Sequence, residues 1–414
     1  MKIVLSHPTG NRNVRAILKS LLLSGFLAEF QTTIAVNSND NWVKFLPAKI
    51  REELLRRSFE VPRDLVRTHE YLEIARMTFP KLGLDRFVTP EKGFASIYSV
   101  YKDFDKFVAK RLVDLSKETQ ITAIYAYEDG ALESFKQAKA LGVKCIYDLP
   151  IAYWETGRKL MREEADRLPQ WANTLGGGIL DSQEKLDRKT QEMELADIII
   201  GPGSFVMNSV PAWAQHKKMI VAPFGSPETN AISLTSLKTE NRPLRVLFVG
   251  SMGQRKGLGD LFEAVKLLNS RNIELVVMGS LMESLEFYKN QLASFTYEKG
   301  RPHHEVLQLM RSCDVFCLPS IVEGRALVMQ EAMSQGLPLI ITANTGGSDL
   351  IIEGKTGFLV PIRSPAAIAD KLNWFLDNRP KILLMGENAK KHALKYTWKK
   401  YGELITNTLK SDLS

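Results

Sequence analysis

Short runs of β-branched and other apolar residues, spaced by stretches of helical period, constrain this chain more than any other feature. In the first half they read "KIVLSH", "TTIAVN", "ITAIYAY", "KCIYDLP" and "DIIIGPG"; in the second, "LRVLFVG", "IELVVMG", "DVFCLP" and "PLIITAN". Near-continuous apolar strands separated by helices predict parallel sheets covered on both faces. Two such series predict two doubly wound α/β domains, and 414 residues suffice for both.

The stretch "PFGSPETNAISLTSLKTENRP" carries Pro, Gly, Ser, Thr and Asn with little periodicity. It predicts a linker at 226–242 between a first domain over 1–225 and a second over 243–395. Residues 41–118 interrupt the alternation with a basic, helical-looking insert. Two readings of it stand: a solvated insert, or a contact surface for an acceptor or a membrane.

Composition excludes some classes. Hydrophobic residues at 44% and charged residues at 25% describe a globular chain rather than a disordered one. A net charge of +8 favours weak association with anionic surfaces such as phospholipid, nucleic acid or acidic glycans, or marks only a well-solvated surface. Cys145, Cys313 and Cys317 are sparse and odd in number, which argues against a disulfide framework and fits a reducing compartment. The start, "MKIVLSHPTG", enters a strand at once and lacks the pattern of a secretory signal. The helix "AILKSLLLSGFLAEF" is broken by Lys19 and falls short of the roughly 20 apolar residues a membrane span needs. The expected location is cytoplasmic, with peripheral contact at the inner face of the membrane left open.

"LRVLFVGSMGQRKGLGDLFEAVKLLN" reads as a strand, a small-residue loop and a helix. Gly250 and Gly253 permit a tight turn, and Arg255 and Lys256 stand where the helix begins. A helix start offers free N–H groups and partial positive charge, and two fixed cations beside it suit a diphosphate. Further on, "DVFCLPS" is a strand, Glu323 and Gly324 lie in a loop, and "RALVMQEAMSQ" is a helix that carries Glu331 about two turns in. Carboxylates repel phosphate but accept from the paired hydroxyls of sugars and ribose. After "PLIIT", the N–H groups of Thr345, Gly346 and Gly347 are candidates to meet phosphate or sugar.

"GSMGQRKGLGDLFEAVKLL", "PSIVEGRALVMQEAMSQGLPLIITANTGGSD" and "EGKTGFLVP", in that order, closely resemble the donor domain of glycosyltransferase family 4, most strongly over residues 243–395. The resemblance implies a GT-B fold, two Rossmann-like domains facing each other across a cleft, with a last helix over 396–414 returning to the first. It implies a retaining transfer from a nucleotide-diphosphate sugar, without metal or other cofactor. The acceptor would be a glycan or glycolipid, in cell-surface polysaccharide or glycoconjugate synthesis, and no nucleic-acid partner is implied.

Residue by residue, Glu323 and Glu331 match the family's E-x(7)-E motif. The resemblance places Arg255 and Lys256 on the donor diphosphate, Glu331 on the ribose and Glu323 near the transferred sugar. Arg255, Lys256 and Glu323 would then carry catalysis. Gly250, Gly324, Arg325, Ala326, Thr345, Gly346 and Gly347 would complete the donor site, with Gly10 beneath the diphosphate and Gly300 and Arg301 framing the base.

The chain departs from the family pattern in three places. Arg325-Ala326 stands where relatives have Phe-Gly, which changes the pocket and adds a charge. Asp349 stands where relatives have Glu. The His that many relatives carry after the strand "KCIYDLP" is absent from "DLPIAYWE". The acceptor-side candidates are therefore Asn11, Asp148, Tyr153 and Trp154, the aromatics either stacking on a sugar ring or packing at the strand end. Asn11, with Arg12 and Asn13, either meets a phosphate or caps a helix. "DFD", Asp103 to Asp105, has helical surroundings and reads as a solvated face rather than a metal site; His303 and His304 read as a polar helix start. Two rival functions remain: a non-catalytic scaffold that binds nucleotide sugars or glycans, and a sugar-nucleotide epimerase.

Overall fold

The computed structural model describes residues 1–37, 41–45, 47–227 and 242–413. The first lobe holds β1 (Ile3–Ser6), β2 (Leu27–Thr32), β3 (Val66–Thr68), β4 (Ala123–Tyr127), β5 (Lys144–Asp148), β6 (Ile198–Gly201) and β7 (Lys218–Val221). The second holds β8 (Leu244–Val249), β9 (Ile273–Met278), β10 (Thr296–Glu298), β11 (Val315–Leu318), β12 (Leu339–Ile341) and β13 (Gly357–Leu359). The strand orders are β3-β2-β1-β4-β5-β6-β7 and β10-β9-β8-β11-β12-β13. All these ladders are parallel. Strand order reverses between β1 and β4 and again between β8 and β11, so each lobe opens a crevice at the carboxyl ends of its central strands.

The central strands β1, β4, β6 and β11 are buried along their whole length, which their unbroken apolar runs require. The strands that sequence reading passed over are β3, β7, β10 and β13, and these are the four sheet edges. An edge strand is short and half exposed, so it carries no continuous apolar run. β2 also differs from expectation: it is "LAEFQT" and not "TTIAVN". Its polar residues hid it. Glu29 is buried there because Arg111 donates to it at 2.8 Å and Gln31 at 2.8 Å.

The insert over 41–118 is not wholly helical. It contains the helices Ala48–Leu55, Tyr71–Thr78 and Ile97–Glu118, but it also supplies the edge strand β3. Most of the expected linker, at 228–241, lies outside the described residues. The last helix, Trp398–Leu413, lies on the helix Arg12–Leu23 of the first lobe, where a Cβ on Gly402 would sit 2.7 Å from the Ala16 carbonyl. Thr406 Oγ1 donates to Ser20 Oγ at 2.8 Å in the same seam.

Packing does not follow chain order everywhere. Trp171 lies between β5 and β6 in sequence but is buried in the core of the second lobe. The helix Trp154–Arg167 leads to it and is tied across by a buried polar network. The Glu164 carboxylate accepts from Gln254 Nε2 at 2.7 Å and Arg363 Nε at 2.7 Å, while Arg167 donates to Asp260 at 2.8 Å. Thr174 Oγ1 accepts the Gln254 N–H at 2.9 Å, one residue before Arg255.

Candidate active site

A cavity of about 740 Å³ lies between the lobes. His7, Gly10, Asn11, Arg12, Tyr127 and Glu128 line it from the first, and Arg325, Leu327 and Glu331 from the second.

In the second lobe β8 ends, the chain turns through Gly250 and Gly253, and a single turn over Gln254–Lys256 presents the two cations before the helix Leu258–Leu268. Arg255 Nη1 donates to Glu323 Oε1 at 2.7 Å, and Lys256 Nζ pairs with the same oxygen. The backbone holds this arrangement, because the Ile321 N–H donates to the Arg255 carbonyl at 2.9 Å. Lys256 is mostly buried, and burial lowers its pKa below the ordinary lysine value while Glu323 opposes the shift.

Glu331 stands on the helix Leu327–Ser334. That helix begins later than expected, with Ala326 as its N-cap, so Glu331 lies little more than one turn in rather than two. Its Oε1 accepts from His303 Nε2 at 2.9 Å and from Arg12 Nη1 at 3.5 Å. Arg12 reaches from the first lobe, so Glu331 joins the two walls. His303 is the first residue of the helix His303–Arg311, as expected, and from there it reaches Glu331.

Arg325 does not add a free charge to the pocket. Its side chain is fully buried and donates to both Asp349 oxygens at 2.6 and 3.0 Å, to Gln330 at 3.0 Å and to the Gly346 carbonyl at 3.2 Å. The guanidinium also lies 5.1 Å from the Tyr396 ring centroid.

The glycines of this lobe serve close approach. A Cβ on Gly324 would fall 1.7 Å from the Pro150 carbonyl oxygen of the first lobe, and one on Gly346, at φ +80°, 1.6 Å from the Gly324 carbonyl oxygen. The loop offers fewer amides than expected. The Thr345 N–H donates to Thr342 at 3.2 Å and the Gly346 N–H to Ala343 at 3.0 Å. The Thr345 hydroxyl, buried, donates to the Leu318 carbonyl at 3.0 Å. The Gly347 N–H makes no such turn bond among the described residues. Gly300 and Arg301 fall in the loop after β10, where Arg301 pairs with Glu298.

On the first lobe Gly10 has φ +87°, and a Cβ there would meet the Phe59 ring at 2.2 Å. Asn11 caps the helix Arg12–Leu23 without a side-chain cap bond and lines the cavity. The other acceptor-side candidates are not on the cavity wall. Asp148 is buried at the end of β5, where Tyr125 donates to it at 2.6 Å, and burial pushes its pKa up to about 7. Tyr153 is fully buried and donates to Thr190 at 3.2 Å; Trp154 Nε1 donates to the same oxygen at 3.3 Å. Both aromatics anchor the start of one helix onto another, the common fate of aromatic residues at a strand end.

Asp105 of "DFD" is buried rather than solvated. It accepts the N–H groups of Glu133 and Ser134 at 2.7 and 3.0 Å, capping a neighbouring helix, and pairs with Arg188 at 2.6 Å. Asp103 pairs with His69 at 2.7 Å. Among the described residues no group of His, Cys, Asp and Glu is arranged to hold a metal ion, and no helix is long and apolar enough to cross a membrane.

Sequence reading missed His7, Glu128 and Asp129. His7 directly follows β1, and Glu128 and Asp129 are the first two residues after β4, the positions that signal crevice residues in an open parallel sheet.

Two doubly wound lobes facing each other across a charged cleft define the GT-B class of fold, and solved structures of that class match over nearly the whole chain. An Anabaena protein, Alr3699/HepE, in complex with UDP, matches with a TM-score of 0.63 at 15% identity, over 99% of this chain and 100% of that one. Sucrose-phosphate synthase from Thermosynechococcus elongatus matches with a TM-score of 0.64 at 16% identity, over 99% and 98%. Residues 232–392 match the family model described as glycosyl transferases group 1. Among curated relatives, an uncharacterized glycosyltransferase of Methanocaldococcus jannaschii, MJ1178, is 30% identical over 156 residues, 37% of this chain and 44% of that one. D-inositol 3-phosphate glycosyltransferase of Corynebacterium urealyticum is 26% identical over 334 residues, 72% of this chain and 78% of that one. The chain thus spans less than half the length of the first of these relatives.

Proposed function

We propose that this chain is a retaining glycosyltransferase of the family 4 type. It would take a nucleotide-diphosphate sugar on the second lobe, residues 243–395, and a glycan or glycolipid acceptor on the first, residues 1–225, in the assembly of a surface polysaccharide or glycoconjugate. The observation that carries this reading is the convergence of Arg255 and Lys256 on one oxygen, Glu323 Oε1, a position a phosphate oxygen can take over. Two fixed cations at one point match the double charge of a diphosphate. Solved structures of the same fold in complex with UDP and UDP-glucose support a nucleotide sugar as the ligand.

In this mechanism the bond from the anomeric carbon to the phosphate oxygen breaks and the bond to the acceptor oxygen forms on the same face. The acceptor proton passes to the departing phosphate, so no protein base is required. Arg255 and Lys256 stabilise the charge that grows on the diphosphate, and the two lobes hold the acceptor oxygen on the face from which the phosphate departs. Glu331 accepts from a hydroxyl pair of the ribose. Neither metal nor further cofactor enters.

The test is a thermal-shift panel of UDP, GDP and ADP with UDP-glucose, GDP-mannose and ADP-glucose, followed by NMR of the anomeric configuration of the product. A ligand at 100 times its Kd adds about 2.7 kcal/mol of stability. A shift with one nucleotide and a product of unchanged configuration are expected. An inverted product would refute retention. Interconversion of the donor sugar without acceptor would favour the epimerase reading, and binding without turnover the scaffold.

A further inference from the structure

His7 sits where β1 ends, beside the reversal of strand order, and its ring lines the inter-lobe cavity opposite Arg325 and Glu331. The turn that follows donates to one ring nitrogen: Nδ1 accepts the Thr9 N–H at 2.9 Å, with the Gly10 N–H at 3.4 Å. A nitrogen that accepts an N–H carries the lone pair, so the proton of the neutral ring resides on Nε2. Tyr127 fixes the plane of the ring from the edge, with centroids 4.6 Å apart and planes at 88°. Nε2 makes no hydrogen bond among the described residues, in a residue only 5% exposed.

We propose that His7 is a substrate-binding residue of the transfer reaction, whose Nε2–H donates a hydrogen bond to a sugar hydroxyl oxygen in the cavity. The inference rests on the transferase reading. It assigns His7 the part of a fixed donor and not of a base, because its one lone pair is held by Thr9. Its surroundings agree: burial lowers the pKa to about 4, with the Thr9 backbone opposing the shift and Arg57 adding to it, so the ring is neutral in the working range. Tyr127 is the other titratable group in direct contact, and Glu128 and Asp129 face the same cavity.

The test compares wild type, His7→Gln and His7→Phe in two assays with UDP-glucose, GDP-mannose and ADP-glucose. One follows release of the nucleoside diphosphate to water; the other follows transfer to added glucose or mannose. Nucleotide-induced thermal shifts are recorded for each variant. His7→Phe is expected to lose about tenfold or more in rate while keeping the nucleotide shift, and His7→Gln, which retains a donor at the same reach, to stay within a few fold. Loss in both assays assigns the oxygen to the transferred sugar; loss in transfer alone assigns it to the acceptor. Unchanged rates in His7→Phe, or equal losses in both variants, would overturn the proposal. So would an acidic limb near the ordinary histidine value of about 6.5 that His7→Gln removes, since that is the mark of a base. If no nucleotide shifts the wild type, the transferase reading itself fails, and this inference falls with it.

Discussion

Arg325 and Asp349 form a two-bond clamp, at 2.6 and 3.0 Å, in the wall between Glu323 and the glycine loop. In sequence they are separate departures from the pattern that the chain resembles; in space they are one. A guanidinium with no exposed surface needs a carboxylate, and Asp349, itself 40% exposed, supplies it from the end of the loop. Asp349→Ala is expected to destabilise the protein by about 2–3 kcal/mol, below the full cost for a buried pair because the carboxylate is partly solvated. Thermal unfolding checks this. A double-mutant cycle with Arg325→Met is expected to show coupling of about 1–3 kcal/mol. Strictly additive losses would mean that the clamp is incidental.

Glu323 competes with an anion for the same two cations. Glu323→Gln should therefore bind the nucleoside diphosphate as tightly as wild type or more tightly, and yet transfer more slowly. Lys256→Ala should lose the nucleotide-induced shift and about 10²–10³ in kcat, the usual effect of removing one charge-stabilising donor. Calorimetric titration and product release separate the two effects. Weaker binding in Glu323→Gln would show that the carboxylate organises the site instead.

Asp148 makes stability depend on pH. Its folded pKa of about 7 lies above the ordinary carboxylate value, so the folded state holds this proton more tightly than the unfolded chain does. The sign follows: with more protons bound in the folded state, stability falls as pH rises from about 4 towards 7, and stays lowered above that. Asp148→Asn removes the penalty and can keep a polar partner for Tyr125. The variant is expected to melt a few degrees above wild type near pH 8 and to show a flatter profile between about pH 5 and 8. A lower melting point for the variant near pH 8 would mean that the tyrosines stabilise the charge.

Glu164 is a fully buried carboxylate that pairs with Arg167 on its own helix and with Gln254 and Arg363 of the second lobe. Glu164→Ala strands these donors and is expected to cost about 3–5 kcal/mol. Because Gln254 precedes Arg255, the variant should also weaken nucleotide binding. Unfolding and titration of the same sample test both parts. Full nucleotide affinity in a folded variant would sever the link between this network and the turn that carries Arg255 and Lys256.

The central strands were legible because β1, β4, β8 and β11 bury both faces and must be apolar throughout or nearly so. The edges β3, β7, β10 and β13 were not, since half-exposed strands tolerate any pattern. β2 escaped because Glu29 is neutralised by Arg111, which is 82 residues away. The same reason hid much of the site. Arg255, Lys256, Glu323 and Glu331 lie in short motifs that can be read locally. The bond from Arg12 to Glu331 spans 319 residues, and the removal of Tyr153 and Trp154 from the cavity depends on Thr190 in a distant helix. Sequence spacing carries no trace of such pairs.

The most direct test of the central claim is calorimetric titration of UDP, GDP and ADP into wild type and into the double variant Arg255→Ala/Lys256→Ala. One nucleoside diphosphate should bind wild type, and the double variant should lose at least about a hundredfold in affinity, or 2.7 kcal/mol. Equal affinity in the two proteins would place the diphosphate elsewhere and contradict the assignment of the donor site.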